Sequence, residues 1–147
     1  MQFARNKRAT FEYELLEKIE AGVVLSGDEV KAIRLGNVQF RGSFLHIHQG
    51  ELYLNNCHIS KYRFTQNSQY SPTHERKVLI KKSELIKLSH KLKEKGLTLI
   101  PLSFYAKGSL IKLEIALAKG KKKADKRVAI KNREQERRVQ RVLKAYR

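Results

Sequence analysis

The sequence predicts a mainly β domain that closes into an antiparallel barrel and carries a basic C-terminal tail. Three observations lead to this fold class. Two segments alternate apolar and polar residues around a tight turn, as β-hairpins do. Two others combine capping residues with the apolar spacing of short helices. Finally, the last 29 residues contain 13 Lys or Arg against 3 Asp or Glu, and such a segment lacks the apolar surface needed to fold alone.

The N-terminal part of the domain is expected to contain two strands and a helix. The strands are Phe11 to Ile19 and Val23 to Leu25, although the first segment could also form a short charged helix. Ser26, with Glu29 three residues later, has the pattern of a capping box. Gly36 is a natural helix stop. The spacing therefore predicts a helix that begins after Ser26 and ends before Gly36.

Two hairpins follow. The segment from Leu45 to Asn55 alternates around Gln49 and Gly50, and the segment from Leu99 to Leu117 alternates around a turn at Lys107, Gly108 and Ser109. Between them, Lys77 to Lys81 is expected to be another strand. The resulting sheet is largely antiparallel, because hairpins pair neighbouring strands in opposite directions.

A second helix is predicted between these hairpins. Ser83 is expected to cap it and Gly96 to end it. Its lysines are expected to face solvent, and its apolar residues the core: Leu85, Ile86, Leu88 and Leu92. Five or six strands with two or three short helices favour a closed barrel, since closure removes exposed sheet edges. An oligonucleotide-binding-type barrel is the commonest small barrel with basic faces.

This interpretation divides the chain into a barrel domain, residues 1–118, and a basic tail, residues 119–147. The spacing of Val139, Val142, Leu143 and Tyr146 fits a helix, which like-charge repulsion should prevent until the tail meets a polyanion. We therefore expect the tail to be disordered when free. A solubilising tail is the plainer alternative.

The overall charge indicates a polyanionic partner. The formal net charge is +18, which points first to nucleic acid and second to an anionic membrane surface. The tail lacks the broad apolar face that membrane binding requires, so we expect no membrane partner. The single cysteine, Cys57, excludes an intrachain disulfide, and no apolar run is long enough for a signal peptide or a membrane span. A cytoplasmic protein is expected.

The residues offer little support for catalysis or for a metal site. His46 and His48 lie two apart on one strand face, but no third ligand is near in sequence, so we interpret them as solvent-facing histidines. Cys57 and His58 are adjacent strand residues that point to opposite faces, and Cys57 is interpreted as a buried structural cysteine. With no Ser/His/Asp order and no phosphate-binding glycine loop, we expect neither cofactor, metal nor enzymatic activity.

Basic clusters with aromatic residues indicate a nucleic-acid surface, although each cluster alone could be a solvated face. Glu20 and Glu29 are carboxylates that could accept hydrogen bonds from base amino groups or hold a neighbouring arginine, and capping alone would also explain Glu29. The basic clusters are Asn6, Lys7 and Arg8, then Lys31 and Arg34, then Arg76 and Lys77, and the rings are Tyr13, Tyr62, Phe64 and Tyr105.

A set of ordered motifs resembles the bacterial SsrA-binding protein family, SmpB, from about residue 6 into the tail. The resemblance implies an oligonucleotide-binding-type barrel that holds the tRNA-like part of transfer-messenger RNA, one protein per RNA. It also implies a tail that becomes helical in the decoding centre and the empty messenger channel of a stalled ribosome. The motifs are Asn6-Lys7-Arg8, Glu20-Ala21-Gly22, Glu29-Val30-Lys31, Arg76-Lys77, Pro101-Leu102, Ala118-Lys119-Gly120-Lys121-Lys122 and Asp125-Lys126-Arg127.

The resemblance also implies which residues meet which partner. The RNA-binding candidates are Asn6, Lys7, Arg8, Glu20, Gly22, Glu29, Lys31, Arg34, Lys77, Leu79 and Lys81. The ribosome-binding candidates are Lys119, Gly120, Lys121, Lys122, Asp125, Lys126 and Arg127.

Two positions depart from the family pattern. Lys81 stands where the family usually has Asn or His, and a lysine cannot accept a hydrogen bond. Ala124 stands where the family usually has His or an aromatic residue, so stacking from that position is lost.

Two other functions stay open at this point. One is a general single-strand nucleic-acid-binding barrel, and the other is a ribosome-associated structural protein whose tail fills a groove in rRNA. The RNA recovered with the protein from cells would separate all three hypotheses.

Overall fold

The computed structural model describes residues 1–94 and 96–121. In chain order the elements are β1 (Gln2–Arg5), α1 (Ala9–Glu12), β2 (Tyr13–Val23), α2 (Gly27–Arg34), β3 (Val38–Gln39), β4 (Phe44–His48), β5 (Glu51–Asn55), β6 (His58–Ile59), β7 (Arg76–Leu79), α3 (Lys82–Lys91), β8 (Leu97–Lys107) and β9 (Leu110–Gly120). None of these helices is long and apolar enough to cross a membrane.

Six of the strands form a ring of hydrogen-bonded neighbours. The order is β8, β4, β5, β7, β2 and β9, and β9 pairs again with β8. Every one of these pairings is antiparallel. Strand β1 lies beside the last part of β8, and β3 with β6 forms a separate two-stranded sheet. The predicted mainly antiparallel β domain is confirmed.

The core fills the inside of this ring. Phe40 and Phe104 stack there with ring centroids 5.7 Å apart. A second, smaller apolar cluster lies outside the β8–β9 seam, where Ala9 of α1 packs with Ile100 and Leu102 of β8. Both faces of β8 are therefore covered. The large buried side chains of the main cluster include Ile33, Leu52, Leu54, Ile59, Leu88, Leu99, Leu113 and Ile115.

Both predicted hairpins are confirmed. In the β4–β5 hairpin the two turn residues, Gln49 and Gly50, have φ values of 50° and 74°. Positive φ at both central positions gives a turn whose twist matches that of the flanking strands. Gly108, also at positive φ, lies in the β8–β9 turn.

The two N-terminal strand predictions need correction. The segment from Phe11 to Ile19 is not strand throughout, because a short helical turn, α1, occupies its start and β2 begins only at Tyr13. The backbone N–H of Glu12 donates to the carbonyl of Arg8 in this turn. Val23 is the last residue of β2, so Val23 to Leu25 is not a separate strand.

The first predicted helix is confirmed in detail. The Oγ of Ser26 accepts from the backbone N–H of Glu29 at 3.2 Å, and the Oε1 of Glu29 accepts from the N–H of Ser26 at 3.1 Å. This reciprocal pair is the capping box that the sequence predicts. Gly36, with a φ of 78°, follows the helix end in the left-handed conformation that glycine permits.

The second helix differs from its prediction at both ends. Lys81, not Ser83, is the N-cap, and it makes no side-chain capping bond. The helix ends at Lys91, well before Gly96. Ile86 is 51% exposed, so its predicted core position is wrong. Leu85, Leu88 and Leu92 follow helical spacing and share the core-facing side, whereas Ile86 lies beside that stripe.

Candidate RNA interface

Four of the predicted RNA-binding residues line one open groove on the outer surface of the ring. Gly22 of β2 pairs with Leu79 of β7, and a Cβ at Gly22 would lie 3.4 Å from the Leu79 Cβ. Leu79 is 50% exposed. Glu20 and Lys81 line the same groove, which has a volume of about 630 Å³. The glycine therefore leaves room for a partner to approach the backbone beside an exposed leucine.

The carboxylate of Glu20 is held at the edge of this groove. Its Oε1 accepts from the Lys107 Nζ at 2.8 Å and its Oε2 accepts from the Tyr105 hydroxyl at 2.6 Å. These hydrogen bonds, that of Lys107 foremost, lower the pKa of Glu20. Burial and the hydrogen bond to Glu20 raise the pKa of Tyr105. Glu20 is thus an ionised carboxylate whose orientation is fixed by two hydrogen bonds.

Glu29 was expected to contact RNA and Arg76 to belong to a basic surface cluster. Both side chains are instead buried. The Arg76 Nε donates to the Glu29 Oε2 at 2.5 Å, and the side chains are 0% and 4% exposed. The Tyr70 hydroxyl donates to the same oxygen at 3.2 Å, and the His74 Nε2 lies 3.0 Å from it. We call the buried pair Glu29 and Arg76, together with the half-buried Tyr70 and the exposed His74 at its edge, the buried ionic cluster.

The buried ionic cluster attaches a long connection to α2. Arg76 also donates to the carbonyls of Cys57 and Pro72, at 2.8 and 2.9 Å. Burial by itself would raise the pKa of Glu29, but the hydrogen bond from the Ser26 backbone and the Arg76 guanidinium outweigh it, and the pKa is lowered. Besides its capping role, the Glu29 carboxylate therefore holds an arginine, one of the uses that the sequence left open.

The connection positions two aromatic rings, the half-buried Tyr62 and the exposed Phe64, beside the basic face of α2. The Lys31 Nζ lies 5.1 Å from the centroid of the Tyr62 ring. Tyr62 meets Phe64 edge to face at 5.6 Å, and Phe64 is 70% exposed. Arg34 is exposed on the same helix. This arrangement offers aromatic faces next to cations, the combination that single-stranded RNA favours.

The N-terminal cluster forms a separate site. The Asn6 Nδ2 donates to the carbonyl of Pro101 at 2.9 Å, which fixes the segment against β8. Lys7 and Arg8 are exposed and line a cleft of about 630 Å³. Arg5 and Arg41 also line this cleft, together with Tyr13 and Phe44. The two arginines were not predicted from the sequence, because only the fold brings them close to Lys7 and Arg8.

Lys77 lies between these sites on the outer face of β7. Its Nζ pairs with the Glu51 Oε1 at 3.0 Å, with both side chains nearly half exposed. The described residues thus bring Glu20, Gly22, Leu79 and Lys81 together. Asn6, Lys7 and Arg8 form a second group and Lys31 with Arg34 a third.

The first ribosome-binding candidates belong to the folded body. Lys119 pairs with Glu14 and Gly120 with Tyr13, so β9 continues two residues past the predicted domain boundary. The Lys121 Nζ donates to the carbonyl of Thr10 at 2.7 Å. Outside the described residues lie the predicted tail helix, Lys95, Ala124 and the candidates Lys122, Asp125, Lys126 and Arg127.

The cysteine and the histidine pair lie in different environments. Cys57 is fully buried, as predicted, and burial raises its pKa to about 12. His46 and His48 lie on the outer face of β4, where His48 is exposed and His46 half-buried. Among residues 1–94 and 96–121 no group of three or more His, Cys, Asp or Glu could hold a metal ion.

A closed set of β-strands that carries cations beside aromatic side chains is typical of a nucleic-acid-binding protein. Residues 3–145 match the family model described as SmpB protein. The SsrA-binding protein of Carboxydothermus hydrogenoformans is 47% identical over 97% of this chain and 95% of its own length. That of Chlorobium phaeovibrioides is 45% identical over 99% and 93%.

A solved structure described as "tmRNA-SmpB: a journey to the center of the bacterial ribosome" contains a similar chain. It is 42% identical, with a TM-score of 0.69, over 86% of this chain and 92% of that one. The chain belongs to the SmpB family.

Proposed function

We propose that this chain is a non-enzymatic RNA-binding protein that binds the tRNA-like domain of transfer-messenger RNA and delivers it to stalled ribosomes for trans-translation. The observation that carries the proposal is the family match, which covers residues 3–145 and so includes both the body and most of the tail. In this proposal the ring of strands acts as an oligonucleotide-binding-type barrel. Its partners are RNA and the ribosome, which place its work in the bacterial cytoplasm.

The body would hold the RNA through the outer groove and the basic sites around it. Lys7, Arg8 and Lys31 carry exposed cations suited to phosphate contact. Gly22 and Leu79 offer a close approach to backbone and an apolar contact, and Glu20 an oriented acceptor. These are the features expected of a surface that recognises a folded RNA by shape.

Two of the candidate positions have modified roles in this proposal. Glu29 acts as a positioning residue, because its carboxylate faces Arg76 and supports the connection that carries Tyr62. Lys81 lies exposed in the groove next to α3. As a cation it would contact phosphate in place of the hydrogen-bond acceptor usual in the family.

The tail would act on the ribosome. Its charge of +10 over residues 119–147 suits a channel lined by rRNA, whose phosphates attract cations. Lys119, Gly120 and Lys121 would form the joint between body and tail.

The first experiment is to identify the RNA recovered with the protein from bacterial cells. Enrichment of transfer-messenger RNA is expected. A broad mixture of single-stranded RNA would favour a general binder, and rRNA alone would favour a structural ribosomal protein. Either result would contradict the proposal.

The second experiment separates body from tail. Ending the chain after Lys121 keeps the whole of β9 and its last contact with Thr10, so the body should still fold. Affinity for isolated transfer-messenger RNA should fall only modestly at physiological salt, since long-range attraction is screened, whereas tagging of stalled nascent chains should be lost. Replacing Asp125, Lys126 and Arg127 by Ala should give the same split, whereas Lys31→Ala should weaken RNA binding itself and reduce tagging as a consequence.

A further inference from the structure

The outer face of the β4–β5 hairpin carries a row of four rings that the core does not use. Phe44, His46 and His48 occupy successive outward positions of β4, and Tyr53 lies opposite His46 on β5. Neighbouring ring centroids are 6.2 Å apart from Phe44 to His46, 6.4 Å from His46 to His48 and 5.8 Å from His46 to Tyr53. We call these four residues the ring row.

The rings of the ring row do not cover one another, and two of the four are exposed, whereas His46 and Tyr53 are half-buried. The interplanar angles are 44°, 56° and 31°, so no ring stacks flat on another. Phe44 is 39% exposed, and His48 is also exposed. The inward positions of the same strands already supply the apolar contacts that hold the hairpin, through Leu45, Leu52 and Leu54. An aromatic group at every outward position of β4 is therefore not needed for folding.

Hydrogen bonds orient part of the ring row. The Tyr53 hydroxyl donates to the Glu51 Oε2 at 2.7 Å, and the Lys77 Nζ pairs with the other oxygen of the same carboxylate at 3.0 Å. Tyr53 and Lys77 are direct partners in the β5–β7 register. His46 is in contact with Asn55 through its Nδ1. A ring that is held in place loses little conformational entropy when a base stacks on it.

The ring row connects two groups of RNA-binding candidates. At one end, Phe44 lines the N-terminal cleft together with Lys7 and Arg8. At the other end, Tyr53 lies beside Lys77, and Leu79 continues on the same outer face of β7. Cations for phosphates thus lie at both ends, and rings for bases lie between them. This charge arrangement suits a nucleic-acid strand better than it suits a protein segment.

We propose that the ring row is a stacking surface for unpaired nucleotides of transfer-messenger RNA, whose backbone crosses the hairpin between the N-terminal cleft and Lys77. The inference rests on the proposed function and adds a contact surface to it. Every base has a π-face, so the ring row adds affinity for an unpaired stretch without reading its sequence. Glu51 acts as a positioning residue for Tyr53 and Lys77.

The test measures the affinity of the full-length chain for isolated transfer-messenger RNA over a series of salt concentrations. The double variant H46A/Y53A should bind roughly 5- to 100-fold more weakly, the range expected when stacking is lost, while the slope of log affinity against log salt stays unchanged. H46F/Y53F keeps both rings and should bind nearly as well as the original chain. L110A, at the exposed tip of the β8–β9 hairpin, is the control and should have no effect.

Ultraviolet crosslinking of the unaltered chain to the same RNA makes the test independent of how the variants fold. Crosslinked nucleotides are expected in the peptide that spans residues 44–55. If the unaltered chain fails to bind transfer-messenger RNA, the proposed function itself is wrong. If it binds but crosslinks only elsewhere, or if H46A/Y53A binds equally well, the proposed function stands and the ring row is not part of the interface. Equal losses in H46A/Y53A and H46F/Y53F would likewise overturn the stacking role.

Discussion

Replacing Glu29 by Gln should destabilise the body strongly, because the change removes the only carboxylate of the buried ionic cluster. Arg76 would then remain fully buried, with neutral acceptors alone: the carbonyls of Cys57, Pro72 and His74 and the hydroxyl of Tyr70. A buried guanidinium without a counter-charge is costly, since the protein interior solvates it poorly.

The expected magnitude follows from the exposure of the pair. Removing one partner of a buried ion pair costs about 3–5 kcal/mol, whereas exposed pairs contribute about 0–1 kcal/mol. Glu29 and Arg76 are 4% and 0% exposed, so they belong to the first class. Glu17 and Lys91 also form an ion pair, but their side chains are 46% and 44% exposed. E17Q is therefore the matched control, with an expected cost below about 1 kcal/mol.

Urea unfolding followed by far-ultraviolet circular dichroism would measure these changes. E29Q and R76M should each lower the free energy of unfolding by about 3–5 kcal/mol, and the double variant E29Q/R76M should lose much less than their total, since it leaves no unpaired buried charge. A loss below about 1 kcal/mol for both single variants, or strictly additive losses in the double variant, would refute the argument.

The same pair gives an expectation for pH. The pKa of Glu29 is lower in the folded protein than its ordinary value of 4.5, so its ionised form stabilises the fold at neutral pH. This stabilisation is lost as the pH falls below 4.5 and through the folded-state pKa. The difference in stability between the original chain and E29Q, measured by urea unfolding at several pH values, should shrink over that acidic range. An unchanged difference at low pH would contradict the lowered pKa.

Three further predictions address single features. Cys57 should react with a thiol reagent at pH 8 only as fast as the body opens, since the thiol is buried and its pKa is about 12; rapid labelling without denaturant would contradict this. G36A should cost about 1–2 kcal/mol in urea unfolding because φ is 78°, and G27A, at a position without positive φ, is its control. K7A and R8A should each reduce the salt slope of RNA binding by roughly 0.7–0.9, and an unchanged slope would exclude phosphate contact.

The sequence predicted those elements that are determined by residues close together in the chain. The hairpins follow from strict alternation around turn residues, and the α2 helix from a capping box whose two residues are three positions apart. Elements that depend on distant partners were missed. Strand β1 pairs with the distant strand β8, and the two-residue strands β3 and β6 pair with each other. The start of β2 was misplaced because α1 is stabilised by packing of Ala9 against β8 and β9.

The candidate site shows the same division. Composition and motifs predicted that basic and aromatic residues bind RNA, but only the fold shows which of these side chains are buried. Glu29 meets Tyr70 and Arg76 across 41 and 47 residues of chain, and no spacing rule links such positions. The sequence predicts Arg76 at the surface because arginine is rarely buried without a partner. Its partner, Glu29, is 47 positions away in the chain, so the sequence does not reveal the pair.

Closure of the ring has a consequence for how the chain is made. The seam between β2 and β9 joins the beginning of the body to its end, and the bond from Lys121 to Thr10 spans 111 positions. Contacts this distant raise the contact order and slow folding, because the intervening chain must be ordered before they form. During synthesis the ring of strands cannot close until residues 110–120, which form β9, have left the ribosome. Before β9 is available, the edge of β2 that pairs with it is exposed. A chain whose translation stops before β9 is therefore an aggregation-prone fragment.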